Sequence, residues 1–207
     1  MKNLYGYPEM HKIIPVSQSG KWQIQHQTAT EEKADFKRRM GAIRGDWTWR
    51  GFEAGTYCIL TNSNGFAGEI MMSDTWLERI TNQDILREAR GDVLLAGLGI
   101  GLVPAGIISK VNSLTIIELE PDVIKLIELP LRHYLGKQFN KLIIIQADIF
   151  RYVPTQKFDI IYFDIWQDLC GDNYAETKTL HKRYRKWLNK DGWMNSWMRD
   201  EFRRLNK

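Results

Sequence analysis

The sequence predicts an α/β protein: a doubly wound, mostly parallel sheet preceded by a small α+β or β-hairpin region. Three observations predict it. Four apolar runs, "VLLA" (93–96), "LTIIEL" (114–119), "KLIIIQ" (141–146) and "FDIIYF" (158–163), are too continuous to have a wet face. Such runs suit parallel strands covered by helices on both sides. Helical patterns separate or follow these runs, the alternation expected of strand–helix–strand units. Finally, the first run passes directly into "AGLGIGL", three glycines at alternate positions that open a helix.

In chain order, residues 1 to about 85 mix short aromatic and β-branched runs with turn signals. "KWQIQHQ" (21–27) alternates apolar and polar residues, as a half-buried strand does. "TEEKADFKRRMGAI" (30–43) predicts one helix capped by Thr30, with acids in its first turn. "TYCIL" (56–60) predicts a strand that meets a turn at Thr61-Asn62-Ser63-Asn64-Gly65, where Asn-Gly supplies positive φ angles. "SDTWLERITNQDILREARG" (73–91) reads as one helix, with Ser73 as its cap and Gly91 as its stop. The division is expected at residues 1–72 and 73–207. Beyond it, helices are predicted at "LVPAGIISK" (102–110), "PDVIKLIELPLRHYL" (121–135) and "NYAETKTLHKRYRKWLNK" (173–190), and a fifth strand at "DGWMNSW" (191–197).

Composition narrows the class. The chain of 207 residues is 43% hydrophobic and 26% charged, ordinary for a soluble globular domain with a small appendage. No apolar run approaches the roughly 20 residues that cross a bilayer. The N-terminus "MKNLYGYPEMHK" lacks the apolar core of a signal peptide. Cys58 and Cys170 lack metal-type spacing, so no zinc site or disulfide framework is expected and the setting is expected to be cytoplasmic. The net charge of +4 is mild, its excess lying in "HKRYRKWLNK" and "RDEFRRLNK", which read as solvated helix faces or, alternatively, as an electrostatic patch for an anionic partner. No nucleic-acid-binding motif accompanies it. The 8 tryptophans are scattered and are expected in the core or at the contact between the two regions.

The glycines carry the first chemical signal. A strand ending in Gly97-x-Gly99-x-Gly101 brings bare backbone and a helix N-terminus against a ligand. The dinucleotide pattern G-x-G-x-x-G is not met, because Leu102 follows Gly101, and the Gly-Lys-Ser/Thr of a phosphate loop is absent. A purely structural turn is the competing reading. Glu118 ends the second strand 21 positions after Gly97, placed to accept from both hydroxyls of a ribose. Glu120 shares its side, further out; a solvated acid or a cap before Pro121 is the alternative. Asp148, after the third strand, is placed to meet an adenine amino group or to cap the next turn.

Taken in order, "VLLAGLGIGL", "IIELEP", "ADIF" and "FDIIYFDIW" resemble the successive motifs of class I S-adenosylmethionine-dependent methyltransferases, a Rossmann-like fold, over about residues 70 to 195. Within that superfamily the chain most resembles the spermidine synthase-like branch. The features are the Glu118 and Glu120 pair, "ELP" at 128–130, and a strand-rich N-terminal region feeding into "SDTWLERITNQDIL". The resemblance implies that Gly97, Gly99 and Gly101 pass the methionyl part of S-adenosyl-L-methionine, that Glu118 holds its ribose and that Asp148 meets its adenine.

The chain also departs from these relatives. Aminopropyltransferases carry an Asp-Ser/Ala-Ser/Thr-Asp-like segment after the fourth strand, where this chain has Asp164-Ile165-Trp166-Gln167-Asp168. Asp164 takes the first acid's place, and the second acid comes one residue late. There is no Asn/Asp-Pro-Pro-aromatic segment and no Pro-Cys nucleophile. Family sheets continue through two more antiparallel strands, for which this sequence leaves no room after "DGWMNSW". The sheet is therefore expected to be C-terminally shortened, its edge covered by the N-terminal half or by a second subunit in a homo-oligomer.

The resulting expectation is methyl transfer to an unidentified acceptor, a small molecule first, with nucleic acid not indicated and no membrane or metal. Asp164, then Asp168, would orient an amine acceptor and receive its proton; in a helical segment their spacing would place both on one face. Trp166 would wall the acceptor pocket, or simply pack. His133 and His181 read as ordinary surface residues. Three alternatives stand beside this: aminopropyl transfer from decarboxylated S-adenosylmethionine, a non-catalytic cofactor-binding or regulatory protein of the same fold, and a nicotinamide dehydrogenase, against which Leu102 counts.

Overall fold

A computed structural model describes residues 5–63, 69–168 and 170–205. Its first layer is a four-stranded antiparallel sheet in the order β1-β2-β3-β4: β1 Ser17–Ser19, β2 Trp22–Ala29, β3 Gly55–Asn62 and β4 Glu69–Ser73. β2 and β3 pair along their whole length, from Trp22 opposite Asn62 to Ala29 opposite Gly55. Asn64 and Gly65 of the expected turn lie outside the described residues.

Helix α1, Glu31–Arg44, is inserted between β2 and β3. Thr30 caps it as the sequence predicts, its hydroxyl accepting from the Lys33 amide at 3.2 Å, with Glu31 and Glu32 in the first turn against the positive end of the helix. Gly45 closes it in the left-handed region at φ 69°, where a side chain would be strained.

The stretch 73–91 corrects the sequence reading. It is two short helices, α2 Trp76–Thr81 and α3 Gln83–Glu88, with Thr75 rather than Ser73 at the N-cap. Ser73 ends β4, opposite Ile59. The break falls at Asn82, which is fully buried. Its carbonyl accepts from the Tyr7 hydroxyl at 2.6 Å and its side-chain oxygen from the Tyr162 hydroxyl at 3.0 Å. These tertiary bonds are added to main-chain bonds that persist through the break, the Asn82 amide donating to Glu78 O at 3.2 Å and its carbonyl accepting from the Leu86 amide at 3.3 Å, and nothing in the periodicity announces them.

The second layer is a five-stranded sheet in the order β7-β6-β5-β8-β9, formed by β5 Asp92–Ala96, β6 Ser113–Glu118, β7 Leu142–Gln146, β8 Phe158–Phe163 and β9 Leu188–Ser196. All four neighbouring pairs run parallel. The fifth strand is there, starting three residues earlier than "DGWMNSW", where the α6 pattern gives way. The chain winds outward from β5 to β7, then returns to lay β8 against β5's other edge. Strand order therefore reverses between β5 and β8, and such reversals open a crevice at the carboxyl ends of the strands.

Helices cover both faces. α4 (Leu102–Ile107) and α5 (Pro121–Leu135) pack with Val93, Leu95, Leu114, Ile116, Ile160 and Tyr162 on one face. Helix α6 (Asn173–Tyr184) packs Leu180 and Tyr184 with Leu94, Ala96, Ile161 and Phe163 on the other. This alternation along each strand is why the runs are apolar throughout; each fully buried Leu or Ile contributes about 1.5–3 kcal/mol. Tyr7, Met10, Ile14, Trp22, Ile24, Cys58 and Leu60 join the first of these clusters, so the N-terminal sheet shares a core with the parallel one. After β9 comes α7, Arg199–Leu205, whose Phe202 is fully buried in the same cluster. Among the described residues no helix is long and apolar enough to cross a membrane.

One side-chain expectation is corrected. His181 is a partly buried residue, not a surface one: its Nε2 meets the Ser196 hydroxyl at 2.8 Å and its ring lies 5.6 Å from that of Phe163. Burial, then the Arg199 and Arg185 charges, pushes its pKa down to about 4. His133 is exposed as expected. Of the tryptophans, Trp22 and Trp197 are buried and the others are half-buried.

Candidate functional site

Four strand ends surround one cavity of about 450 Å³, within the usual range for a small-molecule site. Gly97 to Gly99 follow β5, Glu118 to Glu120 end β6, Ala147 to Phe150 follow β7, and Asp164 to Gln167 follow β8. The N-terminal sheet supplies the facing wall through Lys21, Trp22, Leu60, Asn62, Met71 and Met72, and α2 supplies Glu78.

The glycine bend continues the sheet before it turns away. The Gly97 amide donates to Ile117 O at 2.9 Å, and the Asp164 amide donates to Ala96 O at 2.8 Å. Gly97, Gly99 and Gly101 have φ of 95°, 51° and 78°, values that exclude ordinary side chains. What crowds them is the protein itself. A Cβ on Gly97 would overlap the Asp164 carbonyl oxygen, one on Gly99 the Met72 sulfur, and one on Gly101 would press on Ile127 and Leu131 of α5. Gly97 and Gly99 line the cavity; Gly101 caps α4 beneath α5 and does not.

Glu118 is buried at the cavity's edge, 9% exposed. Its Oε2 accepts from the Leu98 amide at 2.8 Å and its Oε1 from the Glu120 amide at 2.9 Å, so one carboxylate ties the loops after β5 and β6 together. Burial raises its pKa, and these amide bonds oppose the rise. The Leu119 backbone also bonds this carboxylate, and a carboxylate offers about four lone-pair sites, so acceptor capacity remains for a ligand. Glu120 is turned to the N-terminal sheet, its Oε2 accepting from Trp22 Nε1 at 3.1 Å. Asp148 lines the cavity and also caps the next turn, Oδ1 accepting from the Phe150 amide at 2.8 Å.

Beyond β8 the chain is irregular, not helical, and separates the two predicted acids. Asp164 faces the cavity, whereas Asp168 is exposed and outside its lining, its backbone carbonyl accepting from Asn173 Nδ2 at 3.2 Å. Desolvation pushes the Asp164 carboxyl up to about 7, opposed by the Asn82 amide that hydrogen-bonds it. Trp166 is a wall residue held by its indole N–H, which donates to Glu176 at 2.8 Å.

Sequence reasoning missed the opposite wall. Trp22, Asn62, Met72 and Glu78 lie far from the glycine bend in sequence, and no local signal marks them. Two are chemically informative. Asn62 Oδ1 is a buried acceptor to which no donor among the described residues bonds, at the lining of the cavity. Glu78 has its carboxyl pushed up to about 8, by burial and then by Asp164. In all, Glu78, Glu118, Glu120, Asp148, Asp164 and Glu176 face a lining whose described cation is Lys21. The cavity is acceptor-rich and acidic.

No family model matches the chain, and no curated protein matches it. Among solved structures it is similar to a DhpI–SAM–HEP complex, with a TM-score of 0.45 and 20% identity over 56% of this chain and 51% of that one. It is also similar to the glycopeptide N-methyltransferase MtfA complexed with S-adenosyl-L-methionine (TM-score 0.46, 16% identity, 56% of this chain and 48% of that one). A third is the N-methyltransferase NodS from Bradyrhizobium japonicum WM9 (TM-score 0.45, 17% identity, 57% and 66%). The match thus spans about half the length of the first two proteins.

Proposed function

We propose that this protein is an S-adenosylmethionine-dependent transferase of the class I type, a methyltransferase acting on a small-molecule acceptor. The observation that carries the reading is Glu118: a buried carboxylate at the end of β6, fixed by backbone amides, with acceptor capacity left at the cavity. A vicinal diol is the natural complement of such an acceptor.

The residues present fit the cofactor. Glu118 would hold the ribose hydroxyls and Asp148 the adenine amino group, with Ile149 and Leu119 beside the ring. Gly97 and Gly99 leave the backbone bare for the amino-acid end, and Asn62 Oδ1 offers one more acceptor. When bound, the cofactor supplies a carbon on a positively charged sulfur, with a neutral thioether as leaving group. The chain's own work is then alignment and proton management. Asp164, whose carboxyl titrates near neutrality, receives the acceptor's proton, and Trp166 walls the acceptor's side. Asp168, exposed and apart, is given no role in this mechanism.

Calorimetric titration tests this. S-adenosylmethionine is expected to bind, and Glu118→Gln to weaken binding at least tenfold while the variant stays folded by circular dichroism. Absence of binding to the unmodified chain, or unchanged affinity in the variant, overturns the reading. The acidic lining favours a second reading, aminopropyl transfer from decarboxylated S-adenosylmethionine. Products separate them: S-adenosylhomocysteine follows methyl transfer and methylthioadenosine follows aminopropyl transfer.

A further inference from the structure

Resting on that reading of the cavity, we propose that Glu78 and Asp164 form a paired-carboxyl site that recognises a nitrogen cation, an ammonium or guanidinium, as the acceptor and takes its proton. Glu78 comes from α2, outside the stretch that carries the glycine bend and the strand-end acids. It lies one helical turn before Asn82, the buried residue whose side chain hydrogen-bonds Asp164, so both project toward the end of β8. Both carboxyls line the cavity. Among the described residues no protein hydrogen-bond donor reaches the Glu78 carboxylate, and no lysine or arginine pairs with either acid.

Half-buried carboxyls with so few donors, one amide at Asp164 and none at Glu78, either hold protons or wait for a cation. The surrounding groups do not remove that need. Tyr162 of β8 donates to Asn82, and Tyr7 donates to the Asn82 carbonyl. Arg79, next in sequence to Glu78, is turned away into an ion pair with Asp74 at 2.8 Å. Asp84 of α3 pairs with Arg87, and Glu176 of α6 is held by Trp166. Desolvation raises both acids and the charge of Asp164 raises Glu78 further, so the pair carries protons near neutral pH that an arriving nitrogen cation displaces.

The step balances simply. One N–H bond of the bound cation breaks, its proton passes to a carboxylate of the pair, and the electron pair stays on nitrogen as the nucleophile. The new N–C bond forms from that pair while the C–S electrons remain on sulfur, so the positive charge moves from sulfur to nitrogen. The acid then releases its proton to solvent.

The test uses the full chain, with and without S-adenosylhomocysteine, and three probes: 1,4-diaminobutane, benzylamine and methylguanidine. Each is compared with its neutral counterpart, 1,4-butanediol, benzyl alcohol and N-methylurea. Calorimetry at pH 7 in two buffers of different ionisation enthalpy is expected to show at least one cation binding tenfold or more tightly than its counterpart, with about one proton released. Glu78→Gln is expected to lose that preference and the proton release while keeping its affinity for S-adenosylhomocysteine within threefold. Should that variant fail to fold, carboxyl-carbon NMR of the unmodified chain decides, with two side-chain carboxyls expected to titrate above pH 6. The proposal is overturned if no cation is preferred, if Glu78→Gln behaves like the parent, or if no carboxyl titrates there. Failure of S-adenosylhomocysteine to bind overturns the cofactor reading instead, because the cation titrations on the free chain stand alone.

Discussion

Replacing Asp74 by Asn tests whether the N-terminal sheet and helix α2 are welded by one buried charge. Asp74 and Arg79 have side chains 1% and 3% exposed, paired at 2.8 Å. Asp74 Oδ1 also accepts from the Cys58 amide of β3 at 2.7 Å, and Oδ2 from the Met10 amide at 2.8 Å. The arginine donates from Nε to Asp74 O at 2.6 Å and from Nη1 to Tyr7 O at 3.0 Å. An asparagine fills the same volume but must present an NH₂ where an oxygen was, donor facing donor. One or two buried N–H groups then lose their acceptor, at about 1–3 kcal/mol each. The arginine is also left undercompensated, and removing one partner of a buried pair costs about 3–5 kcal/mol. The effects overlap, so about 4 kcal/mol is expected, or roughly 8–16 °C in melting temperature at 2–4 °C per kcal/mol for a chain of this size. Scanning calorimetry at pH 7 measures it. Asp35→Asn is the control: its 2.7 Å pair with Arg39 is exposed, and such pairs contribute under about 1 kcal/mol. A shift for Asp74→Asn within 2 °C of the parent, or equal to the control, would refute the weld.

Other consequences are as direct. Gly97→Ala places a methyl into the Asp164 carbonyl at φ 95°, so a loss of at least 2 kcal/mol and weakened cofactor binding are expected by melting and titration; a silent substitution would show that the bend is not constrained by β8. Glu78 and Asp164, raised to about 8 and about 7, bind protons in the folded state that the unfolded chain has lost above about pH 4. Their contribution to stability is therefore complete at low pH and lost as pH rises through 7–8; Glu78→Gln should flatten that slope in melts taken from pH 5 to 9, and turnover should rise over the same window as the base ionises. His181, lowered to about 4, should show no ring titration by NMR between pH 5 and 8, and its contribution should fade only as pH falls from about 6.5 through 4; a midpoint near 6.5 contradicts its burial.

The parallel sheet was legible because each strand is buried on both faces, which forces an uninterrupted apolar run; "FDIIYF" coincides with β8 and "PDVIKLIELPLRHYL" with α5. Thr30 was legible as a cap because capping is local chemistry. The break at Asn82 was not, since its partners there, the hydroxyls of Tyr7 and Tyr162, lie far away in sequence. β1, three residues long, and β4 carry too little pattern to be read. At the site the sequence brought Gly97, Gly99, Glu118, Asp148 and Asp164 to one cavity. It joined Gly101 and Asp168 to them by spacing alone, and spacing does not say that Gly101 lies under α5 or that the segment after β8 is irregular. Glu78 was hidden by its ordinary place in a helical pattern.

The same comparison explains how a basic chain carries an acidic pocket. The net charge of +4 counts solvated side chains such as Lys182, Arg183, Arg203 and Arg204, which are exposed on α6 and α7 and screened within about 10 Å at ordinary salt. The carboxylates that matter converge from α2, α6 and the ends of β6, β7 and β8, where low-dielectric walls of Val103, Ile117, Ile149 and Trp166 focus their field. Composition sums charge over the whole surface, whereas a ligand responds to the few groups it can approach. A sulfonium and a nitrogen cation entering together would repel each other in such a cavity unless the walls supplied the opposing charge and one partner gave up a proton. Six carboxyls against Lys21, two of them poised to take protons, meet both conditions.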